Sequence, residues 1–289
     1  MRWRRWARTL FSRQDSAAAP SRHSAAAPTA LASAAASRST GPPPSTNGAS
    51  SLHLFWQVPA GGRAIAAVEA TVQVDVAPPP ERLVFWALQA TMLDTTGAEH
   101  GTGHLGLQHH PAYPEAGAVN WGGYRPGGGE LPGGPLGGPS ALGNANTCDY
   151  PWTTGRPYRL RIEQATPGAW RGSVTDVASA DTFVVRDLHL DGDRLDRLMV
   201  WTESFAHCEE ASAVRWSDLT VIDHAGGRRR VEAVRVNYQR HADGGCATGT
   251  AGADGAGFTQ ATGSLRAVPQ GTVLTVDPPA SGSGHDDRG

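Results

Sequence analysis

Residues 68–76 alternate without interruption. Val68, Ala70, Val72, Val74 and Val76 share one side, and Glu69, Thr71, Gln73 and Asp75 share the other. A period of two predicts a strand with one buried and one wet face, which Pro78, Pro79 and Pro80 bring to an end. Leu83–Met92 is apolar on both sides, as a central strand should be, with Gln89 as the residue that needs a partner.

Shorter alternations follow, each bounded by Gly, Pro or Asp. They cover His104–His109, the Val119/Trp121 pair, Tyr158–Glu163, Trp170–Thr175, Thr182–Leu190 and Leu195–Thr202. Ala213–Ile222, Val231–Tyr238, Ser264–Val268 and Thr272–Val276 extend the series, and Phe55 and Trp56 mark an opening strand. About a dozen short strands with no interior helical period predict an all-β chain, an antiparallel β-sandwich of the jelly-roll kind, over residues 51–277. The Gly/Pro-rich stretch Arg125–Gly143 reads as a long loop between strands.

Composition agrees with this reading. Gly 36 and Pro 21 in 289 residues suit many turns better than long helices. The chain has no Lys, which we read as coding bias. Residues 1–50 hold seven Arg against one acid, Asp15, so the leader carries +6 and the remainder −8 of a net −2. An acidic sandwich lacks the clustered cations that displace counterions from nucleic acid, so no nucleic-acid partner is expected. The Arg228–Arg230 cluster follows Ala225-Gly226-Gly227 and reads as a solvated turn.

Residues 1–50 are expected to be a disordered basic leader and an Ala/Ser/Pro-rich linker, and residues 278–289 a disordered tail. Within the leader, Trp3, Trp6, Ala7, Leu10 and Phe11 would form one helical stripe with arginines around it. That makes residues 1–13 a candidate for weak membrane-surface contact. No apolar run long enough for a secretory signal or a membrane span follows, so the default compartment is cytoplasmic, with export open if the true start lies elsewhere. Cys208 and Cys246 could pair in an oxidising compartment and leave Cys148 free; three cysteines fit a reducing one equally well.

The order of the pieces resembles an uncharacterised bacterial domain family. The residues that carry the resemblance are Gly103-His-Leu-Gly-Leu-Gln108, Ala118-Val-Asn-Trp-Gly122, Trp152 with Gly155, Tyr158 and Leu160, Trp170-x-Gly172-x-Val174-x-Asp176, and Val200-Trp-Thr-Glu203. The resemblance implies a concanavalin-A-like sandwich, the shape of lectins and glucanases. It implies no catalytic residues.

Three kinds of site compete. The first is a carbohydrate-binding face of Gln108, Asn120, Trp121, Tyr124 and Glu203, since aromatic faces stack on sugar C–H surfaces and amides bind hydroxyls. Nine Trp against five Tyr and six Phe suits this, although strand tryptophans also fill cores. Trp121 and Tyr124 stand out because glycines surround them. The second is a metal site from His100, His104, His109 and His110 beside Glu99, or from Asn144, Asn146 and Asp149. Strand geometry puts His104 and His110 on one side and His109 on the other, too few ligands for zinc, and the Asn/Asp spacing is not that of a calcium loop. We expect no metal and no cofactor. The third is glycoside hydrolysis, with Glu203 as the weak catalytic candidate and Asp176 as a partner the fold would have to bring near. The expectation is therefore a non-catalytic glycan-binding module. The alternatives are a glycan hydrolase of the same fold and an interaction domain tethered by its leader.

Overall fold

The computed structural model describes residues 39–59, 62–255 and 257–277. The basic stripe within residues 1–13 and the tail 278–289 lie outside them.

Sixteen strands make up the described chain. They are β1 (Ser50–Trp56), β2 (Ile65–Val76), β3 (Val84–Leu93), β4 (Glu99–His109), β5 (Gly117–Tyr124), β6 (Thr147–Asp149), β7 (Pro157–Thr166) and β8 (Ala169–Asp176). They continue with β9 (Thr182–His189), β10 (Arg194–Ser204), β11 (Ala213–Asp223), β12 (Arg228–Arg230), β13 (Ala233–Tyr238), β14 (Gly249–Asp254), β15 (Gly257–Thr262) and β16 (Val273–Thr275). Two single 3-10 turns, Pro114–Ala116 and His241–Asp243, are the helical elements among the described residues.

All ladders are antiparallel. One layer runs β16-β13-β1-β10-β3-β4-β5-β6 and the other β14-β15-β11-β2-β7-β8-β9, with β12 beside β11. A single pair, Leu195 with Ile65, joins them where β10 crosses to β2. The sheet folds over at that point and becomes a sandwich, as the alternation of the sequence predicts.

The two inner faces form one core. Leu54, Trp86, Leu88, Leu105, Leu107, Val119, Trp121 and Val200 from the first layer meet Val68, Val72, Leu160, Ile162, Trp170, Val174 and Trp216 from the second. One polar side chain sits among them with its bonds made. Gln260 Oε1 accepts from Thr202 Oγ1 at 2.8 Å and Trp216 Nε1 at 2.9 Å, and its Nε2 donates to the Leu52 carbonyl at 2.8 Å. That satisfaction makes a buried amide tolerable.

The structure departs from the sequence reading in three places and decides one pairing that the sequence leaves open. Ser264–Val268 is loop, and β6, β14 and β15 are strands that their Gly, Ala and Thr content did not signal. Residues 41–50 take part in the fold: Gly41 N–H donates to Glu209 at 2.7 Å, and Ala49 is buried. The face of β2 expected to be wet is partly buried, because Glu69 lies under Arg161 and Arg228, which both pair with it. Cys208 and Cys246 are disulfide-bonded, and Cys148 is free and buried.

Candidate functional site

Because a strand alternates, every inner residue of the first layer has outer neighbours one position away. The register aligns these outer residues in rows across the strands. One row runs Ser51, Glu203, Phe85, Gln108, Ala118. The next runs Asn237, His53, Trp201, Ala87, Gly106, Asn120, Thr147. A third runs Phe55, Met199, Gln89, His104, Gly122, and Thr91, Thr102 and Tyr124 follow.

Four of the five residues expected to bind ligand therefore share one face: Gln108, Asn120, Tyr124 and Glu203. Trp121 does not. It points the opposite way from Asn120, is fully buried, and its indole N–H donates to the Trp170 carbonyl at 3.1 Å. Its ring packs where a Cβ on Gly172 would come within 2.5 Å. The glycines beside Trp121 serve close packing, and its expected place in a stacking platform is corrected.

Beyond Tyr124, the aromatic part of the face comes from residues the sequence reading did not select for it. Phe85 and Trp201 meet edge to face at 4.9 Å between centroids, and His104 lies 5.8 Å from Phe85 and 5.9 Å from Trp201. Tyr124 stacks on His104 at 5.9 Å, and His53 adjoins Trp201 and Phe55. Edge-to-face pairs of this kind follow the quadrupoles of the rings. Gln89 has its expected partner: Trp201 Nε1 donates to Gln89 Oε1 at 3.0 Å, and Gln89 Nε2 contacts the Met199 sulfur at 3.6 Å. The missed signal was the period itself, since Trp201 stands two residues before Glu203.

Burial sets the protonation of this face. Glu203 is 2 % exposed and is pushed up to about 8 by desolvation, with Ser51 Oγ donating to Oε1 as a partial offset. His53 and His104 are lowered to about 4 by burial. Burial, followed by the charges of Glu130 and Glu203, raises Tyr124 to about 12. At pH 7 the carboxyl is a neutral acid, both imidazoles are neutral and the phenol is intact.

The outer face of the second layer is the opposite. Arg161 reaches Glu69 and, at 2.7 Å, Glu163; Arg171 pairs with Asp187 at 2.9 Å; Arg215 pairs with Asp254 and, at 3.5 Å, with Asp75. One surface is a lattice of exchanged charges; the other presents rings and amides on its central strands, with Arg235 opposite Phe55 on β13.

The remaining candidates are otherwise engaged. Asp176 lies in the second layer and pairs with Arg156 at 2.6 Å, so it is not a partner for Glu203. Burial shifts Glu203 upward and the Ser51 hydrogen bond opposes it. His100 holds Asp94 at 3.2 Å, and His109 Nδ1 lies 2.9 Å from the Arg82 carbonyl. His110 follows the end of β4 and accepts from the Ala112 N–H, so it does not join His104. Asn144 and Asp149 accept backbone N–H groups, and Asn146 Oδ1 accepts from Arg186. Among the described residues no group of three or more His, Cys, Asp or Glu could hold a metal.

No family model matches the chain, and no curated protein matches it. The motif resemblance therefore stands for fold alone. Solved structures with a similar course include scytalido-glutamic peptidase bound to a peptide-based transition-state analogue, at TM-score 0.41 and 8 % identity, covering 75 % of this chain and 97 % of that one. SCP-B, a member of the eqolisin family of peptidases, gives 0.40 and 8 % with the same coverage. Peanut lectin gives 0.28 and 11 %, covering 77 % and 84 %. Likenesses this distant carry no residue and no activity across. Among the described residues no helix is long and apolar enough to cross a membrane.

Proposed function

We propose that the outer face of β1, β10, β3, β4 and β5 binds an uncharged, hydroxyl-bearing ligand, a carbohydrate, without catalysis. The observation that carries the reading is the contrast between the two outer faces. Charges cover one, whereas the other presents rings, amides and a carboxyl that is neutral at pH 7. Such a surface gains from C–H stacking and from hydrogen bonds to hydroxyls. Tyr124, Phe55 and His53 are partly exposed rings, and the first two are the aromatic residues a sugar would meet first.

Hydrolysis is the weaker reading. A neutral Glu203 has the protonation of a general acid, but glycoside cleavage needs a second carboxyl at a set distance, and the partner expected from the sequence, Asp176, is held by Arg156 in the other layer.

Affinity electrophoresis through gels containing neutral polysaccharides tests the proposal. Retardation of the wild type, reduced at least tenfold in affinity by Tyr124→Ala or Phe55→Ala, is the expected result. Free migration through every neutral glycan would end the reading.

A further inference from the structure

We infer that the cleft between the loop after β5 and the β9–β10 connection binds a small α-amino acid as its zwitterion, with the carboxylate on Arg125 and the ammonium on Asp191. This site goes beyond the carbohydrate reading above and does not rest on it.

The cleft measures about 270 Å³ and opens at one end of the sandwich. His100 at the start of β4, Arg125 just after β5 and Gly168 in the β7–β8 turn line it, with His189, Leu190 and Asp191 where β9 runs on toward β10. Sites for drug-sized molecules span roughly 300–1,000 Å³, so this one suits a single small molecule and not an oligosaccharide.

Backbone hydrogen bonds tie the lining stretches together. Leu190 N–H donates to the Gly168 carbonyl at 3.1 Å, and His189 N–H to the Pro132 carbonyl at 2.8 Å. Arg125 N–H donates to the Gly129 carbonyl at 2.7 Å, and Gly128 N–H to the Arg125 carbonyl at 2.9 Å, so the loop after β5 closes on itself at Arg125. Leu190 is buried in the core and gives the cleft an apolar floor. A lining fixed in this way is formed before a ligand arrives, and binding has little backbone left to order.

The polar part of the lining carries one cation and one anion that do not meet. Nearby exposed charges are exchanged, Arg171 with Asp187 and Arg197 with Glu99. Among the described residues, neither the Arg125 guanidinium nor the Asp191 carboxylate has an ion pair or a hydrogen bond. A lone anion would be drawn to Arg125 and repelled by Asp191, and a lone cation the reverse. A zwitterion meets an opposite charge at each end and brings no net charge into the cleft.

His100 adds to the ammonium end. Its Nε2 lies 3.2 Å from Asp94 Oδ2. Hydrogen bonds from Thr96 and Ala98 hold the Asp94 carboxyl well below the usual carboxylate range. An ionised carboxylate only accepts, so Nε2 carries the proton and Nδ1 of the neutral ring is an acceptor. Asp191 and His100 thus offer acceptors to an ammonium, and Arg125 offers a planar fork of donors to a carboxylate. The ligand's own side chain is left to Leu190, and the volume of the cleft keeps it small.

Chemical-shift titration of the nitrogen-15-labelled full chain with L-alanine, L-lactate and L-alaninamide makes the test. Lactate has a hydroxyl in place of the ammonium, and alaninamide lacks the carboxylate charge. The expected result is a saturable shift of the Arg125, Gly168 and Leu190 amide signals with alanine, and binding weaker by roughly tenfold or more for the other two, since each lacks one charged hydrogen bond. Arg125→Gln and Asp191→Asn should each weaken alanine by a similar factor, and Asp191→Asn should not weaken lactate. Both side chains are exposed, so neither substitution disturbs the core. Lactate binding as well as alanine would make the cleft an anion site, and alaninamide binding as well would make it a cation site; either overturns the inference. So does the absence of a saturable shift, or an affinity for alanine that survives both substitutions. Each of these outcomes leaves the carbohydrate reading of the outer face standing.

Discussion

Ser51 Oγ donates to Glu203 Oε1 at 3.2 Å across the β1–β10 ladder, and this is the bond that offsets burial of the carboxyl. One neutral-donor bond does not replace the water a carboxylate loses, so the acid form is favoured in the fold. The consequence for stability has a definite sign. A carboxyl raised to about 8 binds its proton more tightly folded than unfolded. Its contribution is fully present below the unfolded value near 4.5 and is lost as pH rises through about 8. Glu203→Gln keeps the shape and removes the titration. We expect the variant to match the wild type within error at pH 4 and to exceed it by roughly 2–4 kcal/mol at pH 8.5, measured by urea unfolding. An equal difference at both pH values would show that Glu203 does not titrate as described.

The histidines on the same face act in the opposite sense. His53 and His104 are lowered to about 4. Their contribution is present above the unfolded value near 6.5 and is lost as pH falls toward 4. His104→Phe keeps a ring against Phe85 and Tyr124 and removes one of the two protonations. The loss of stability between pH 6.5 and 4 should shrink by roughly 1–3 kcal/mol. An unchanged acid limb of the stability profile would count against burial of the imidazole.

The sandwich was legible because its strands alternate. Val68–Val76 and Leu83–Met92 announce their faces in the residues themselves. β14 and β15 did not, since Gly249–Asp254 and Gly257–Thr262 have Phe258 as their one large apolar residue, and β15 is set by pairing to β11 and β14 by pairing to β15. The site was half legible for a related reason. Gln108, Asn120, Tyr124 and Glu203 are each polar or aromatic in strands, but which side of the sheet they face depends on register, and register is a property of two strands. Trp121 was misplaced because glycines nearby suggest exposure, whereas Gly172 and Gly103 are small in order to receive its ring. Trp201 looked like core by residue type, and only the odd–even count along β10 puts it outside.

That placement separates stability from binding. Trp121→Ala should be destabilising by about 3–5 kcal/mol, the usual cost of emptying a buried aromatic site. Gly172→Ala should be destabilising by about 1–3 kcal/mol, because its Cβ would crowd the indole. Neither residue is on the outer face, so ligand affinity of the folded fraction should be unaltered in both. A variant of normal stability with weakened binding would contradict the buried position.

The Cys208–Cys246 bond closes a separation of 38 residues and ties the loop after β10 to the loop after β13. The same junction holds the segment before β1: Cys208 N–H donates to the Gly41 carbonyl at 2.7 Å, and Cys246 N–H to Ser50 Oγ at 3.0 Å. By the chain-entropy estimate a loop of this length is stabilised by about 4 kcal/mol. The paired Cys208→Ala and Cys246→Ala variant should lose roughly that amount in denaturant unfolding. It should also exchange the Gly41–Ser51 amides faster, while Cys148 stays unreactive inside the core. A loss below about 1 kcal/mol would mean that the packing of these loops suffices without the bond.

Arg186 poses the sharpest energetic question. It is 5 % exposed, burial lowers its pKa, and no carboxylate pairs with it among the described residues. Its guanidinium donates to the Ala145 carbonyl and, at 2.8 Å, to Asn146 Oδ1, and it lies against Gly133, while its Nε has no partner. Two opposing effects follow from removing it. A buried, unpaired cation is expensive, so deleting the charge returns several kcal/mol. The charged hydrogen bonds to the 130–146 loop are worth about 1.5–3 kcal/mol each and are lost. The two nearly cancel in global stability but not in the loop, which receives only the loss. Arg186→Met should therefore unfold within about 1 kcal/mol of the wild type, while limited proteolysis between residues 130 and 146 accelerates at least tenfold. If the loop is cut no faster, the guanidinium does not hold it. If global stability collapses instead, the cation has a counter-charge that its surroundings do not reveal.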